Sequence, residues 1–295
     1  MKRAKKYTVG FVGLGIMGKP MVINLIKKNI EIYFYARKRR IINQIIHMGG
    51  HYVSSIKELT KYSDIFITNL PNTNDVENVI TSDDGLINTI SEGSIVIDMS
   101  TISPLATKKL SKKLERKKSF LIDAPVSGGE AGAISGELSI MVGGNKKAYV
   151  KIKHILSILG RKITYVGKSG SGQICKACNQ ILVAQSIQSI SEIIGIAKKS
   201  KIDPKIIRNA LMGGYASSKI LEIHGNRMIK SDYKPGFKLS LHNKDLKIAK
   251  NLMVHLGLNS KGLNKVQKLM DEAEKAGLSE QDSSVIHTIL EKTYK

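Results

Sequence analysis

The chain has 295 residues, 42% hydrophobic and 24% charged, the balance of an ordinary globular protein with material for one or two cores. Its formal net charge of +23 is the unusual bulk property, because a basic face attracts phosphate. The lysines are nevertheless scattered along the whole chain with no RNA-binding aromatic signature or Cys/His finger, which argues against a dedicated nucleic-acid binder and leaves a field that gathers anionic ligands. The basic start Lys2-Arg3-Ala4-Lys5-Lys6 leads into a strand-like run rather than a signal-peptide core, and no apolar run is expected to reach the roughly 18 residues of a membrane span. A cytoplasmic protein without a membrane partner is the expectation.

The first strand is Tyr7 to Val12, followed at once by Gly13-Leu14-Gly15-Ile16-Met17-Gly18 and by an amphipathic helix through Met21, Ile23, Leu25 and Ile26. Ile30 to Tyr35 reads as a second strand. Bracketed in this way inside a βαβ unit, G-x-G-x-x-G is the fingerprint of a dinucleotide site. Gly13 permits the tight turn, Gly15 lets backbone approach a pyrophosphate, and Gly18 lets helix and strand pack closely. The second strand ends in Tyr35-Ala36-Arg37-Lys38-Arg39-Arg40, with no acid to grip a ribose 2′-hydroxyl. Arg37 is the expected contact to a 2′-phosphate, so NADP(H) is favoured over NAD(H).

Further strand-like runs follow at 64–70, 94–99, 119–123, 138–142 and 163–166, with helical stretches at 103–118 and 145–159. This alternation predicts a doubly wound, largely parallel sheet with ligands at the carboxyl ends of its strands. Three loops leave those ends: Leu70-Pro71-Asn72, Ser100 to Pro104, and Ala124 to Gly129. Ser103 before Pro104 is a helix cap. Ser127-Gly128-Gly129 offers a hydroxyl and open backbone N–H groups, a concavity suited to a carboxylate.

From Gly170-Ser171-Gly172 a pattern without Pro runs to Lys199, predicting one long helix. Lys176 falls in its second turn, with Asn179 and Gln180 on the same face, an arrangement able to give a proton to a carbonyl oxygen and hold the substrate. Cys175 and Cys178 are the only cysteines; a zinc site would need a second pair, and small buried packing residues are expected. The seven histidines show no metal spacing, and no metal site is expected. Beyond Ser171 strand signals vanish. The division expected is a Rossmann-type α/β domain over 1–168 and an all-α domain over 169–295, joined by the long helix. Asp203-Pro204 opens a further helix, Gly213-Gly214 closes it, and Ser217-Ser218 begins the next.

Four motifs in this order resemble the β-hydroxyacid dehydrogenase family, the 3-hydroxyisobutyrate dehydrogenase group. They are Phe11 to Met21, Asp123 to Gly129, Gly170 to Gln180 and Lys244-Asp245-Leu246. The run from Tyr233 to Leu246, together with Gln180, looks most like the branch acting on tartronate semialdehyde. The resemblance implies Lys176 as the catalytic lysine and Ser127, Gly128, Gly129, Asn179 and Gln180 as substrate contacts. It further implies cofactor contacts at Gly13, Leu14, Gly15, Ile16, Met17, Gly18, Leu70, Pro71 and Asn72, with Thr101 and Lys244 at the nicotinamide end. Relatives in that branch often carry an acid where this chain has Ala36, so their cofactor preference does not transfer directly. The implied reaction is reduction of a small carboxylated semialdehyde by a homodimer or homotetramer. Alternatives are a 3-hydroxyisobutyrate dehydrogenase or related reductase, and a basic nucleic-acid binder on an inactive fold.

Overall fold

The computed structural model describes residues 7–294; the basic run at Lys2–Lys6 lies outside the described residues. The chain divides into two compact units, one reaching Lys176 and the other starting at Ala177.

The first unit is built on a sheet of nine strands among the described residues. They are β1 (Thr8–Val12), β2 (Glu31–Tyr35), β3 (His51–Tyr52), β4 (Ile65–Thr68), β5 (Ile95–Asp98), β6 (Phe120–Asp123), β7 (Val126–Ser127), β8 (Ser139–Gly144) and β9 (Lys162–Gly167). The order is β3-β2-β1-β4-β5-β6-β8-β7, with β9 beside β8. The strands from β3 to β6 pair in parallel, in the order typical of doubly wound dinucleotide-binding sheets. The expectation of a largely parallel sheet holds that far. Past β6 the direction reverses: β8 is antiparallel to both β6 and β7, while β9 runs parallel to β8. Alternation of strand and helix signals does not encode strand direction, so this reversal leaves no mark in the pattern.

Strands buried on both faces read as continuous apolar runs, and β5, Ile-Val-Ile-Asp, is wholly buried. Helices cover both faces. Under α1 (Gly18–Lys27), α6 (Gly129–Ser135) and α7 (Lys146–Leu159) lies a core in which Met21, Leu25, Ile152 and Leu156 meet Phe11, Ile32, Ile67, Ile97 and Ile122. The opposite face carries α3 (Ile56–Leu59), α4 (Thr73–Thr81) and α5 (Pro104–Glu115), whose Leu59, Val76, Ile80, Leu110 and Leu114 bury Val12, Phe66, Val96 and Leu121. A short, strongly amphipathic α2 (Arg39–His47) follows β2 and buries Ile45. At the start of α5, Ser103 Oγ accepts from the Ala106 N–H with Pro104 in the first turn, as its sequence predicts.

The long helix α8 (Ser171–Lys199) has the predicted bounds, and its 29 residues make it about 44 Å long. It is also long and apolar enough to cross a membrane, contrary to the sequence expectation that no stretch is. Half of its most apolar window is buried inside the protein, as in the core helix of a globular protein. The second unit continues with α9 (Pro204–Met212), α10 (Asn226–Ile229), α11 (Leu239–His255), α12 (Lys261–Lys275) and α13 (Ile286–Glu291). Asp203 caps α9 by accepting from the Lys205 N–H. Ser218 Oγ accepts from the Leu221 N–H where the next helical turn begins, but that turn, Leu221–Gly225, is a π-helix. Asp282 ties the segment before α11 by accepting from the Gly236 and Phe237 N–H groups, both at 3.1 Å. Burial works against its charge, yet hydrogen bonds from His224 and Ser284 outweigh that and hold the carboxyl well below the ordinary range.

Candidate active site

The parallel register aligns one row of residues along the carboxyl edge of the sheet. Tyr35 pairs with Val12, Val12 with Thr68, Thr68 with Asp98 and Asp98 with Asp123. Five loops therefore leave the same edge, carrying Gly13–Gly18, Arg37, Leu70–Asn72, Thr101 and, after β7 extends beyond the row, Ser127–Gly129.

The three glycines of the first loop differ in what surrounds them. Gly13 has φ +105°, and a Cβ there would lie 2.2 Å from Asn69 O. A Cβ on Gly18 would lie 1.9 Å from Gly13 O. Gly15 faces open space, with nothing within 4 Å of a Cβ. No side chain caps the N-terminus of α1, and its first turn has no acid. A helix start with positive character, beside a glycine that leaves room, is suited to a pyrophosphate. Arg37 is exposed at the end of β2.

The next two loops are held from below by a carboxylate that the sequence reading did not single out. Asp98 Oδ1 accepts from Thr68 Oγ1 at 2.9 Å and from the Ser100 N–H at 3.1 Å. Ser100 Oγ in turn accepts from the Leu70 N–H at 2.8 Å, and Asn69 Nδ2 donates to Met99 O at 3.1 Å. Complete burial pushes the Asp98 carboxyl up to about 6, against hydrogen bonds from Ser100 and Thr68 that favour its charge. Thr101 is half-buried, Leu70 likewise, and Pro71 and Asn72 are exposed.

Its neighbour Asp123 caps the long helix. One carboxylate oxygen accepts from the Gly170 N–H at 2.9 Å and the other from the Gln173 N–H at 3.1 Å. Burial raises this carboxyl too, and those backbone donors oppose the shift. The fit is close on every side: a Cβ on Gly143 would lie 2.7 Å from both Asp123 oxygens, and one on Gly172 would lie 2.3 Å from Met141 O. Gln173 is buried, donates to Ser100 O at 2.8 Å and accepts from the Ile102 N–H at 3.1 Å. Lys176 follows one turn later and is 6% exposed. Gly128 and Gly129, with φ of +133° and +62°, form the start of α6 just after the half-buried Ser127.

In the second unit, Asn179, Gln180 and Lys244 form one connected group. Asn179 Nδ2 donates to Gln180 Oε1 at 2.8 Å, and Gln180 Nε2 donates to Asp245 Oδ2 at 2.7 Å. The other Asp245 oxygen lies 3.0 Å from Lys244 Nζ. Gln180 is 3% exposed, so much of its hydrogen-bonding capacity is directed inward. The cysteines depart from the expected burial: Cys178 is exposed and Cys175 half-buried. At i and i+3 they share one helical stripe, and on that side the helix is not covered as it is at Lys176 and Ala177. Among the described residues no group of three or more His, Cys, Asp and Glu could hold a metal ion.

Residues 8–167 match the NAD-binding domain of 6-phosphogluconate dehydrogenase, and residues 170–290 match the NAD-binding segment of NADP-dependent 3-hydroxyisobutyrate dehydrogenase. The chain belongs to the 3-hydroxyisobutyrate dehydrogenase family. It is 41% identical to 2-hydroxy-3-oxopropionate reductase of Escherichia coli, over 96% of this chain and 97% of that protein. It is 33% identical to the mitochondrial 3-hydroxyisobutyrate dehydrogenase of Rattus norvegicus, over 84% of this chain and 76% of that one. The Mycobacterium tuberculosis 3-hydroxyisobutyrate dehydrogenase structure superposes with a TM-score of 0.90 at 26% identity, covering 97% of this chain and 99% of that one.

As a member of this family the protein is an NAD(P)-dependent oxidoreductase acting on a CH–OH group. The residues present fit the dinucleotide: the space at Gly15 would be filled by any side chain, and the uncapped helix start supplies N–H donors. Sequence reasoning gave no individual role to Asp98, to Gln173 within the Gly170–Gln180 motif or to Asp245 within Lys244-Asp245-Leu246, although each hydrogen-bonds beside a named candidate residue. Gln173 stands one turn before Lys176 and Asp245 directly follows Lys244, so adjacency to named residues was the available signal.

Proposed function

We propose that this dehydrogenase reduces tartronate semialdehyde (2-hydroxy-3-oxopropionate) to glycerate, with NADPH favoured over NADH. The observation that carries the reading is a buried lysine, Lys176, in the second turn of a helix whose start is pinned by Asp123 to the carboxyl edge of the dinucleotide-binding sheet. A bound reduced nicotinamide supplies the hydride. Lys176, as an ammonium, stabilises the negative charge that grows on the carbonyl oxygen and gives it a proton. Ser127 and the backbone N–H groups of Gly128 and Gly129 hold the substrate carboxylate, which fixes the carbonyl face presented for reduction. Asn179 holds the substrate hydroxyl, and Gln180 and Asp245 steady the Lys244 side chain.

The choice of tartronate semialdehyde is supported by the 41% identity to the E. coli reductase and by the Tyr233–Leu246 run. The rat relative favours a second reading, oxidation of 3-hydroxyisobutyrate, because a methyl against a hydroxyl in the pocket is worth only about 1–3 kcal/mol. Arg37, exposed where an acid would exclude a 2′-phosphate, supports the NADPH preference. The same reading has the enzyme act in the cytoplasm as a homodimer or homotetramer.

A substrate panel tests the proposal: tartronate, methylmalonate and succinate semialdehydes, each with NADPH and NADH. The highest kcat/KM is expected for tartronate semialdehyde with NADPH. A higher value for methylmalonate semialdehyde moves the assignment to the second reading, and a lower KM for NADH than for NADPH removes the role of Arg37.

A further inference from the structure

We infer that Gln173 is a positioning residue that ties the Thr101 loop to the helix bearing Lys176, so that the proton donor and the cofactor-side loop move as one piece. The inference rests on the proposed reaction for its consequence, and on the hydrogen bonds of the first unit for its geometry.

Gln173 makes three hydrogen bonds to two other segments, the 100–102 loop and the end of β6. Its side-chain amide donates to Ser100 O at 2.8 Å and accepts from the Ile102 N–H at 3.1 Å, bracketing Thr101 from both sides. Its own backbone N–H donates to Asp123 at 3.1 Å. Lys176 follows at i+3, about 4.5 Å along the axis on the same helical face. A displacement of residues 100–102 relative to β6 therefore has to break these bonds or carry the start of α8 with it.

The chemistry suits an amide and no other common side chain. The buried strip of backbone at 100–102 presents a carbonyl and an N–H together, and a carboxamide answers both with one donor and one acceptor, much as a neighbouring strand would. A carboxylate accepts only, so it would match Ile102 and oppose Ser100. A hydrocarbon matches neither, and leaves two polar backbone groups buried without partners. Gln173 is 1% exposed, so water cannot easily take its place.

Two variants test the tie, Gln173→Ala and Gln173→Glu, by a measurement that needs no turnover and by one that does. In hydrogen exchange read by mass spectrometry, Gln173→Ala is expected to speed exchange over residues 100–103 about tenfold, while peptides of β1 and α7 keep wild-type rates. In steady-state kinetics with 4-deuterated NADPH, Gln173→Ala is expected to lower kcat by about 10²-fold and to raise the isotope effect on kcat, because misalignment slows hydride transfer itself. A variant that merely folds less well loses rate in proportion to active protein and keeps the wild-type isotope effect. Gln173→Glu is expected to recover as pH falls, when a protonated acid donates to Ser100 O, giving an inflection absent from the wild-type profile.

Unchanged exchange over residues 100–103 in Gln173→Ala overturns the tie. A lower kcat with an unaltered isotope effect overturns its positioning role. A wild-type enzyme inert toward every semialdehyde would overturn the proposed reaction instead, and the exchange measurement would still decide the tie.

Discussion

Gln180 Nε2 and Asp245 Oδ2, 65 residues apart in sequence, are 2.7 Å apart and join α8 to α11. Removing that amide leaves the buried Asp245 carboxylate short of a donor. Gln180→Ala is expected to cost about 1–3 kcal/mol of stability, read as a lower urea midpoint at unchanged slope. It should also loosen Lys244, whose Nζ lies 3.0 Å from the same carboxylate. An unaltered midpoint would show that the pair carries no net stabilisation.

Lys176→Ala is expected to reduce kcat by at least about 10²-fold, the usual scale of lost acid catalysis. NADPH binding, followed by quenching or enhancement of nicotinamide fluorescence, should remain close to wild type. Near-normal turnover in this variant removes Lys176 from the mechanism.

The glycines of the first loop separate a cofactor role from a folding role. Gly18→Ala drives a Cβ to 1.9 Å from Gly13 O, so it is expected to destabilise the protein and lower Tm. Gly15→Ala meets nothing within 4 Å, so it is expected to fold with wild-type Tm and lose NADPH affinity. Full affinity in folded Gly15→Ala would place the pyrophosphate elsewhere.

Asp98 predicts a pH dependence with a definite sign. Its carboxyl stands at about 6 in the folded chain against 3.8 when unfolded, so the folded state binds the proton more tightly. Below 3.8 both states are protonated and the residue is neutral in the balance; as pH rises from there to about 6, stability is lost. Two pKa units correspond to roughly 3 kcal/mol. The difference in unfolding free energy between Asp98→Asn and wild type is expected to move in favour of the variant across this window and then level off. Parallel curves from pH 4 to pH 8 would contradict the assignment.

What could be read from the sequence was what neighbouring residues decide among themselves. The strand–glycine–helix unit at 8–27, the bounds of α8, and the caps at Ser103 and Asp203 are all local geometry, set within a few residues. The reversal at β8 and the two-residue strands β3 and β7 come from pairings between distant segments, to which periodicity is blind. The same reason hid Asp98 beside Asp123, which meet only because β5 and β6 share a register. Cys178 was misjudged because small, apolar character says nothing about which stripe of a helix is covered.

Around Asp123 the protein is built to a tolerance of one hydrogen atom. Gly143 and Gly172 both press against that carboxylate, so even a methyl group at either position collides with it or with the chain behind it. Both positions are therefore closed to any residue larger than glycine, and variation in this part of the chain has to enter elsewhere.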